Sequence, residues 1–309
     1  MSNSVILSII SPVYQAEKIV DELVHRITNE VEKITPSYEI ILIEDGSEDK
    51  SWDRIELNCQ KNNKVKGVKF SRNFGQHYAI SAGLRHASGK WVVVMDCDLQ
   101  DNPIYIKDLY TKALEGFDIV YTTKASRKHG LFKDFVAKMY FAFFNWLSEQ
   151  KQDHKTGAYS IISRKVVDAF CEIRDFHRHY LPILQLIGFK STSIHIVHEN
   201  RFEGKSSYTF MKLFKLASHG IVSQSDKLLR ISIGVGFVLF FLSMIWVAYL
   251  ITVYFTIGSQ PGYTSLMAML LLSTGLTLMS IGITGIYIGK IFEQVKERPL
   301  YFVDKRINI

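Results

Sequence analysis

Asp96 and Asp98 stand one residue apart, immediately after the apolar run Trp91 to Met95. Two carboxylates this close repel each other unless positive charge lies with them, and hard oxygen ligands suit Mg2+ or Mn2+. Three other apolar runs end in polar clusters: Ser11-Pro12-Val13-Tyr14-Gln15-Ala16-Glu17, Glu44-Asp45-Gly46-Ser47-Glu48-Asp49 and Ser71-Arg72-Asn73-Phe74-Gly75. Each alone reads as a helix-leading turn. Together they gather carboxylates, hydroxyls, an aromatic ring and a guanidinium, a set suited to a phosphate-bearing ligand with a divalent ion. G-x-G-x-x-G and G-x-x-x-x-G-K-[ST] are both missing, so phosphates would be held by metal and basic side chains, and dehydrogenase and kinase readings lose their main support.

Alternating strands and helices must position these residues. Val5 to Ser11, Glu39 to Glu44, Val65 to Phe70, Trp91 to Met95 and Asp118 to Thr122 read as strands, and Glu17 to Lys33, Ser51 to Gln60, Gln76 to His86 and Pro103 to Glu115 as helices. Such alternation predicts an α/β fold with right-handed crossovers and a mostly parallel sheet. Ligands bind such sheets at the carboxyl ends of the strands, where all four clusters fall.

The remaining chain differs in kind. Of 309 residues, none from Ile231 to Gly289 is Asp, Glu, Lys or Arg. About 20 apolar residues cross a bilayer, so this run predicts two transmembrane helices, residues 231–257 and 263–289, with a turn at Ser259-Gln260-Pro261-Gly262. They follow a cytosolic catalytic domain of residues 1–207 and a juxtamembrane amphipathic helix of residues 208–230, and precede a cytoplasmic tail of residues 290–309. Lys227 and Arg230 precede the spans and Lys290, Lys296, Arg298, Lys305 and Arg306 follow them. By the positive-inside rule the expected protein is integral to the membrane, with the catalytic domain and both termini cytoplasmic. No signal peptide is read at the amino terminus. The formal charge of +7 then fits an anionic membrane surface or a phosphate-bearing substrate, and no nucleic acid is expected. Gly234, Gly236, Gly275, Gly282, Gly285 and Gly289 permit close helix packing, so a homo-oligomer formed through these helices is expected. Cys59, Cys97 and Cys171 lack metal-type spacing and suit a reducing compartment.

In order, S-P-V-Y-Q-A-E, E-D-G-S-E-D, S-R-N-F-G-Q-H and M-D-C-D-L-Q-D-N-P resemble glycosyltransferase family 2, the inverting enzymes of GT-A (Rossmann-like) fold. Within it the likeness is to polyprenyl-phosphate glycosyltransferases such as dolichyl-phosphate mannose synthase and the bacterial enzymes that load undecaprenyl phosphate with one sugar. It runs from about Val5 to Val303, including Arg201 to Tyr208 and Glu297-Arg298-Pro299-Leu300-Tyr301. The resemblance implies that Pro12, Tyr14, Glu17, Glu44 and Asp45 hold the nucleoside of a nucleotide sugar, UDP-sugar preferred and GDP-sugar open. It implies that Asp96, Asp98 and Gln100 hold Mg2+ or Mn2+ on the diphosphate. Lys124, Arg201 and Lys205 match the family's phosphate contacts; Arg72 joins the binding set, and Arg127 stands in the basic stretch that follows Lys124. Asp101 is either a further metal contact or the cap of the helix begun at Pro103.

Two departures bear on mechanism. Where family members carry an acid and an arginine in a G-D-F-R-type segment, this chain has Gly157-Ala158-Tyr159-Ser160, and the lysine of the later G-x-S-K motif is Ser207 here. Asp153 is the nearest carboxylate, and with Asp101 and Arg127 it forms the catalytic candidate set. A phosphate monoester, with a second pKa of about 6, needs little help from a base, whereas an alcohol acceptor needs one. The expected reaction is therefore inverting transfer of one sugar to a polyprenyl phosphate. A processive polysaccharide synthase would bring Gln-x-x-Arg-Trp and more spans, and a catalytically silent membrane scaffold would not need Asp45, Arg72, Asp96 and Asp98.

Overall fold

The computed structural model describes residues 5–124, 156–176, 178–197, 227–257 and 262–309. They divide into two compact units: the described residues up to 197 together with 298–309, and residues 227–297.

The first unit is built on one eight-stranded sheet. Its first four strands are β1 (Leu7–Val13), β2 (Tyr38–Glu44), β3 (Val65–Phe70) and β4 (Trp91–Val94), joined by helices α1 (Val20–Val31), α2 (Ser51–Lys61) and α3 (Gln76–His86). β1, β2 and β4 are buried along their whole length. That is the pattern of central parallel strands covered on both faces. Val20, Leu23, Ile55 and Ile106 pack on one face, Ile80, Val166, Phe170 and Tyr180 on the other. Gly83 lets α3 lie directly on β1, since a Cβ there would stand 2.3 Å from Cγ2 of Ile10.

Beyond β4 the chain forms a 3-10 turn (Pro103–Tyr105), α4 (Ile106–Leu114) and β5 (Ile119–Lys124); later come β6 (Thr156–Ser163), α5 (Arg164–Glu172), α6 (Tyr180–Ile187) and β7 (Ser191–Ile196). The five expected strands and four helices are present, with ends shifted by a few residues. The sheet is mixed, however: β6 lies antiparallel between β4 and β5, and β7 pairs parallel with β5. β8 (Val303–Ile307) pairs antiparallel with β3 and gives the order β7-β5-β6-β4-β1-β2-β3-β8. Part of the segment set apart as a tail is thus an edge strand. Its sequence, V-D-K-R-I, keeps apolar ends around charged residues that face solvent, as edge strands do.

The second unit holds α7 (Lys227–Ile257) and α8 (Tyr263–Val295). Within them Leu229–Val253, of mean hydropathy 2.4, and Leu272–Val295, of 1.4, are long and apolar enough to cross a membrane. Hydroxyls of Thr252, Thr256, Thr274, Thr277 and Thr284 donate to the carbonyl four residues back. Their polarity is thereby satisfied inside each helix, as an apolar surrounding demands. Among the described residues, a Cβ added at Gly234, Gly236, Gly275, Gly282, Gly285 or Gly289 would meet nothing within 4 Å. These glycines are not what lets α7 and α8 touch.

Candidate active site

From β1 the sheet grows outward through β2 to β3, then α3 carries the chain back to β4 on the other side of β1. The loops after β1 and β4 therefore diverge at the sheet's switch point, where α/β sheets open a crevice at their carboxyl edge. Tyr14 and Glu17 follow β1 on one side of it, with Pro12 buried inside that strand, and Asp96, Asp98, Gln100 and Asp101 follow β4 on the other. Tyr14 is 46% exposed, a ring face open to stack on a planar group.

The β1 and β2 loops are stitched together. Backbone N–H groups of Gln15 and Ala16 donate to the hydroxyls of Ser47 and Ser51, both at 2.9 Å, and that of Glu17 to Asp49 at 3.1 Å. Gln15 sits at φ 51°, a left-handed conformation uncommon outside glycine. Ser47 and Asp49 stand in the second polar cluster of the sequence, and Ser51 opens α2 just beyond it.

Asp45 holds the third loop. Its carboxylate accepts the N–H of Phe74 at 2.7 Å and of Gly75 at 2.9 Å. Burial pushes its pKa up; those two N–H groups pull it down, neighbouring Glu44 pushes it up, and the net direction is upward. Glu44 is fully buried; one oxygen accepts the N–H of Ser47, while among the described residues Oε2 has no partner, nor does the buried hydroxyl of Ser11. Unpartnered buried acceptors are uncommon and costly, and a carboxylate oxygen so placed suits a ligand N–H. Arg72 is exposed and stacks its guanidinium 4.8 Å from the Phe74 ring.

After β4, Asp96 accepts from the side-chain amide of Gln76 at 2.6 Å, and Asp98 accepts the backbone N–H of Gln100 at 3.1 Å. Leu99 between them has φ 57° and is buried. Its apolar anchorage fixes a turn that leucine otherwise disfavours. Burial pushes the thiol of Cys97, between the two aspartates, up to about 12, and both carboxylates add to the shift. The 3-10 turn is capped by Asn102, whose side chain accepts the N–H of Ile104 at 3.0 Å. The cap thus falls one residue later than the Asp101 position suggested; Asp101 itself is buried.

Asp96 and Asp98 are two oxygen donors with no third carboxylate, histidine or cysteine grouped with them among the described residues. That fits an ion such as Mg2+, which is commonly held by one or two carboxylates plus substrate phosphates rather than by an all-protein cage.

In β6 the register Val94 to Ser160 runs the strand's early residues toward Asp96. The stretch Gly157-Ala158-Tyr159-Ser160 brings no carboxylate there. Tyr159 is buried and its hydroxyl donates to the Asn102 carbonyl at 3.2 Å; Ser160 is buried 2.9 Å from the Tyr180 hydroxyl. Lys124 ends β5. Arg127, Asp153, Arg201 and Lys205, and the juxtamembrane segment 208–226, lie outside the described residues.

A family model, glycosyl transferase family 2, matches residues 8–171. The chain belongs to glycosyltransferase family 2. It is a glycosyltransferase with the GT-A-like fold. An uncharacterized glycosyltransferase of Synechocystis sp. is 38% identical over 303 residues, covering 96% of this chain and 94% of that one. An undecaprenyl-phosphate 4-deoxy-4-formamido-L-arabinose transferase of Salmonella choleraesuis is 31% identical over 314 residues, covering 97% and 93%. Glucosyl-3-phosphoglycerate synthase of Mycobacterium tuberculosis, crystallised with Mn2+, UDP-glucose and phosphoglyceric acid, superposes with a TM-score of 0.51 at 17% identity, covering 71% of this chain and 78% of that one. At that identity the likeness speaks for the fold alone. The family model ends at residue 171, so β7, β8 and both apolar helices of this family 2 chain lie beyond it, whereas the two relatives match across nearly its full length.

Proposed function

We propose that this glycosyltransferase moves one sugar from a nucleotide sugar to a polyprenyl phosphate at the cytoplasmic face of a membrane, with inversion at C1. UDP-sugar is the preferred donor and GDP-sugar the alternative. The observation that carries this reading is that one sheet holds both the Asp96–Asp98 carboxylate pair and, as β8, the chain emerging from two apolar helices. A lipid-borne acceptor and a cytosolic donor are thereby served by one chain. The relative that acts on undecaprenyl phosphate supports the acceptor class.

In this reading Tyr14 stacks on the base, and Pro12 and Glu17 line the nucleoside side of the crevice. The unpartnered Oε2 of Glu44 accepts a base N–H, which uracil and guanine both offer. Asp45 works through the backbone of Phe74 and Gly75. Asp96 and Asp98 hold Mg2+ or Mn2+, and Gln100 supports Asp98. When bound, the ion would neutralise charge on the departing diphosphate. An acceptor phosphate oxygen attacks C1 as the bond from C1 to the donor phosphate breaks, and the nucleoside diphosphate leaves with the electron pair.

That attack removes no hydroxyl proton, which accords with the absence of a carboxylate at Ala158 and Ser160. Positioning and charge relief are what the chain must supply; Arg72, Lys124, Arg127, Arg201 and Lys205 are the basic candidates. Asp153 and Asp101 remain the candidates for any proton transfer. Asp98→Ala is expected to abolish glycolipid formation by detergent-solubilised protein supplied with Mg2+ or Mn2+, nucleotide sugar and undecaprenyl phosphate. An unchanged rate would sink the metal assignment.

A further inference from the structure

Three residues separate the end of α8 from Pro299, and the chain then returns to the sheet beside the third loop of the site. Tyr301 stacks on Phe70, ring centroids 4.8 Å apart at 17°. The carbonyl of Phe302 accepts the N–H of Ser71 at 3.0 Å, and its ring lies 6.2 Å from that of Phe74. β8 then runs along β3 with a register shift between Lys69, paired with Lys305, and Phe70, paired with Val303. Asp304 is thus the extra residue of a bulge, a device that re-aims a strand where pairing ends. At the far end Asn308 donates to the carbonyls of Cys59 at 2.9 Å and Val65 at 2.8 Å.

The loop Ser71–Gly75 is therefore gripped from two directions, by Asp45 through the N–H groups of Phe74 and Gly75 and by residues 301–303 through Phe70, Ser71 and Phe74. The residue that follows the loop is Gln76, whose amide holds Oδ1 of Asp96 at 2.6 Å. Gln76 and Phe302 are both exposed, Phe302 by 55%. Exposed side chains contribute little to the core, so substitution of either should leave stability nearly unchanged.

We infer that the C-terminal segment 301–308 is a positioning element of the donor site, fixing Ser71–Gly75 so that Gln76 orients Asp96. The inference rests on the proposed reading of Asp96 and Asp98 as the cation site. Neither Phe302 nor Gln76 needs to touch the nucleotide. Each acts through Asp96, so their effects are shared rather than independent.

The test is a double-mutant cycle on full-length protein in detergent, titrating UDP, and separately GDP, in the presence of Mn2+. Phe302→Ala and Gln76→Ala are each expected to weaken nucleotide binding about tenfold, which is ~1.4 kcal/mol, with thermal stability nearly unchanged. Phe302→Tyr should restore binding. The double variant should bind no more weakly than Gln76→Ala alone, because the two residues lie on one route. Additive losses, or Phe302→Ala binding like wild type, would overturn the inference. Asp98→Ala separates the two levels: if it abolishes Mn2+-dependent binding while Phe302→Ala leaves it intact, the cation site stands and the positioning role falls. If wild type binds neither nucleotide with Mn2+, the donor reading falls and takes this inference with it.

Discussion

Gly46 lies so close to Arg72 that a Cβ on it would stand 2.2 Å from the Arg72 carbonyl carbon, and its φ is +66°. The turn after β2 thus touches backbone of the loop after β3 with nothing between them. A left-handed φ costs an ordinary L-residue roughly 1–2 kcal/mol, and the backbone clash adds to it. Gly46→Ala is expected to destabilise the first unit by more than ~2 kcal/mol and to raise the donor KM. Denaturant unfolding together with initial-rate kinetics would check this; a variant of wild-type stability and KM would contradict the observed contact.

Acid should weaken the fold through His77. Its imidazole is held down to about 4 by burial, with His179, 4.8 Å away between ring centroids, adding to the effect. The unfolded value is near 6.5. Because the folded state favours the neutral ring, this stability is fully present above about pH 6.5 and is lost as pH falls toward 4. The loss is on the order of 2 kcal/mol, discounted for partial solvent access. Denaturation midpoints measured at pH 7.5 and pH 4.5 should fall further for wild type than for His77→Gln, and equal falls would refute the attribution.

β7, which precedes the helix pair in the chain, and β8, which follows it, belong to the same sheet, so an even number of crossings is expected. In a protein whose native cysteines are replaced by alanine, Lys18→Cys and Glu297→Cys should react with a membrane-impermeant maleimide from the same side. That side should be the one exposed in inside-out vesicles. Labelling from opposite sides would contradict the topology.

The first half of the fold was legible because its strands are unbroken apolar runs and its helices have clear period. β1 to β5 and α1 to α4 all lie where pattern places them. Order within the sheet was not, because no local signal tells that Thr156–Ser163 inserts antiparallel between β4 and β5. β8 escaped notice since three of its five residues are charged and face outward. Within the site, residue types disclosed Asp96 and Asp98 as a pair. They did not disclose that the oxygens of Asp45 hold backbone of the third loop, because an acid beside a glycine reads equally well as a ligand contact or a turn. Gln76 carried no signal beyond its place in the S-R-N-F-G-Q-H run. An amide that orients another side chain leaves no periodicity to read.

β8 also sets an order of events in the making of the protein. Residues 303–307 are synthesised after both apolar helices, so β3 keeps an open edge and the Ser71–Gly75 loop lacks half its grip until α7 and α8 have been made. A ribosome-bound chain that has not yet produced its second apolar helix carries an unfinished sheet edge. Closure of this edge of the sheet is in this way timed to follow synthesis of both apolar helices.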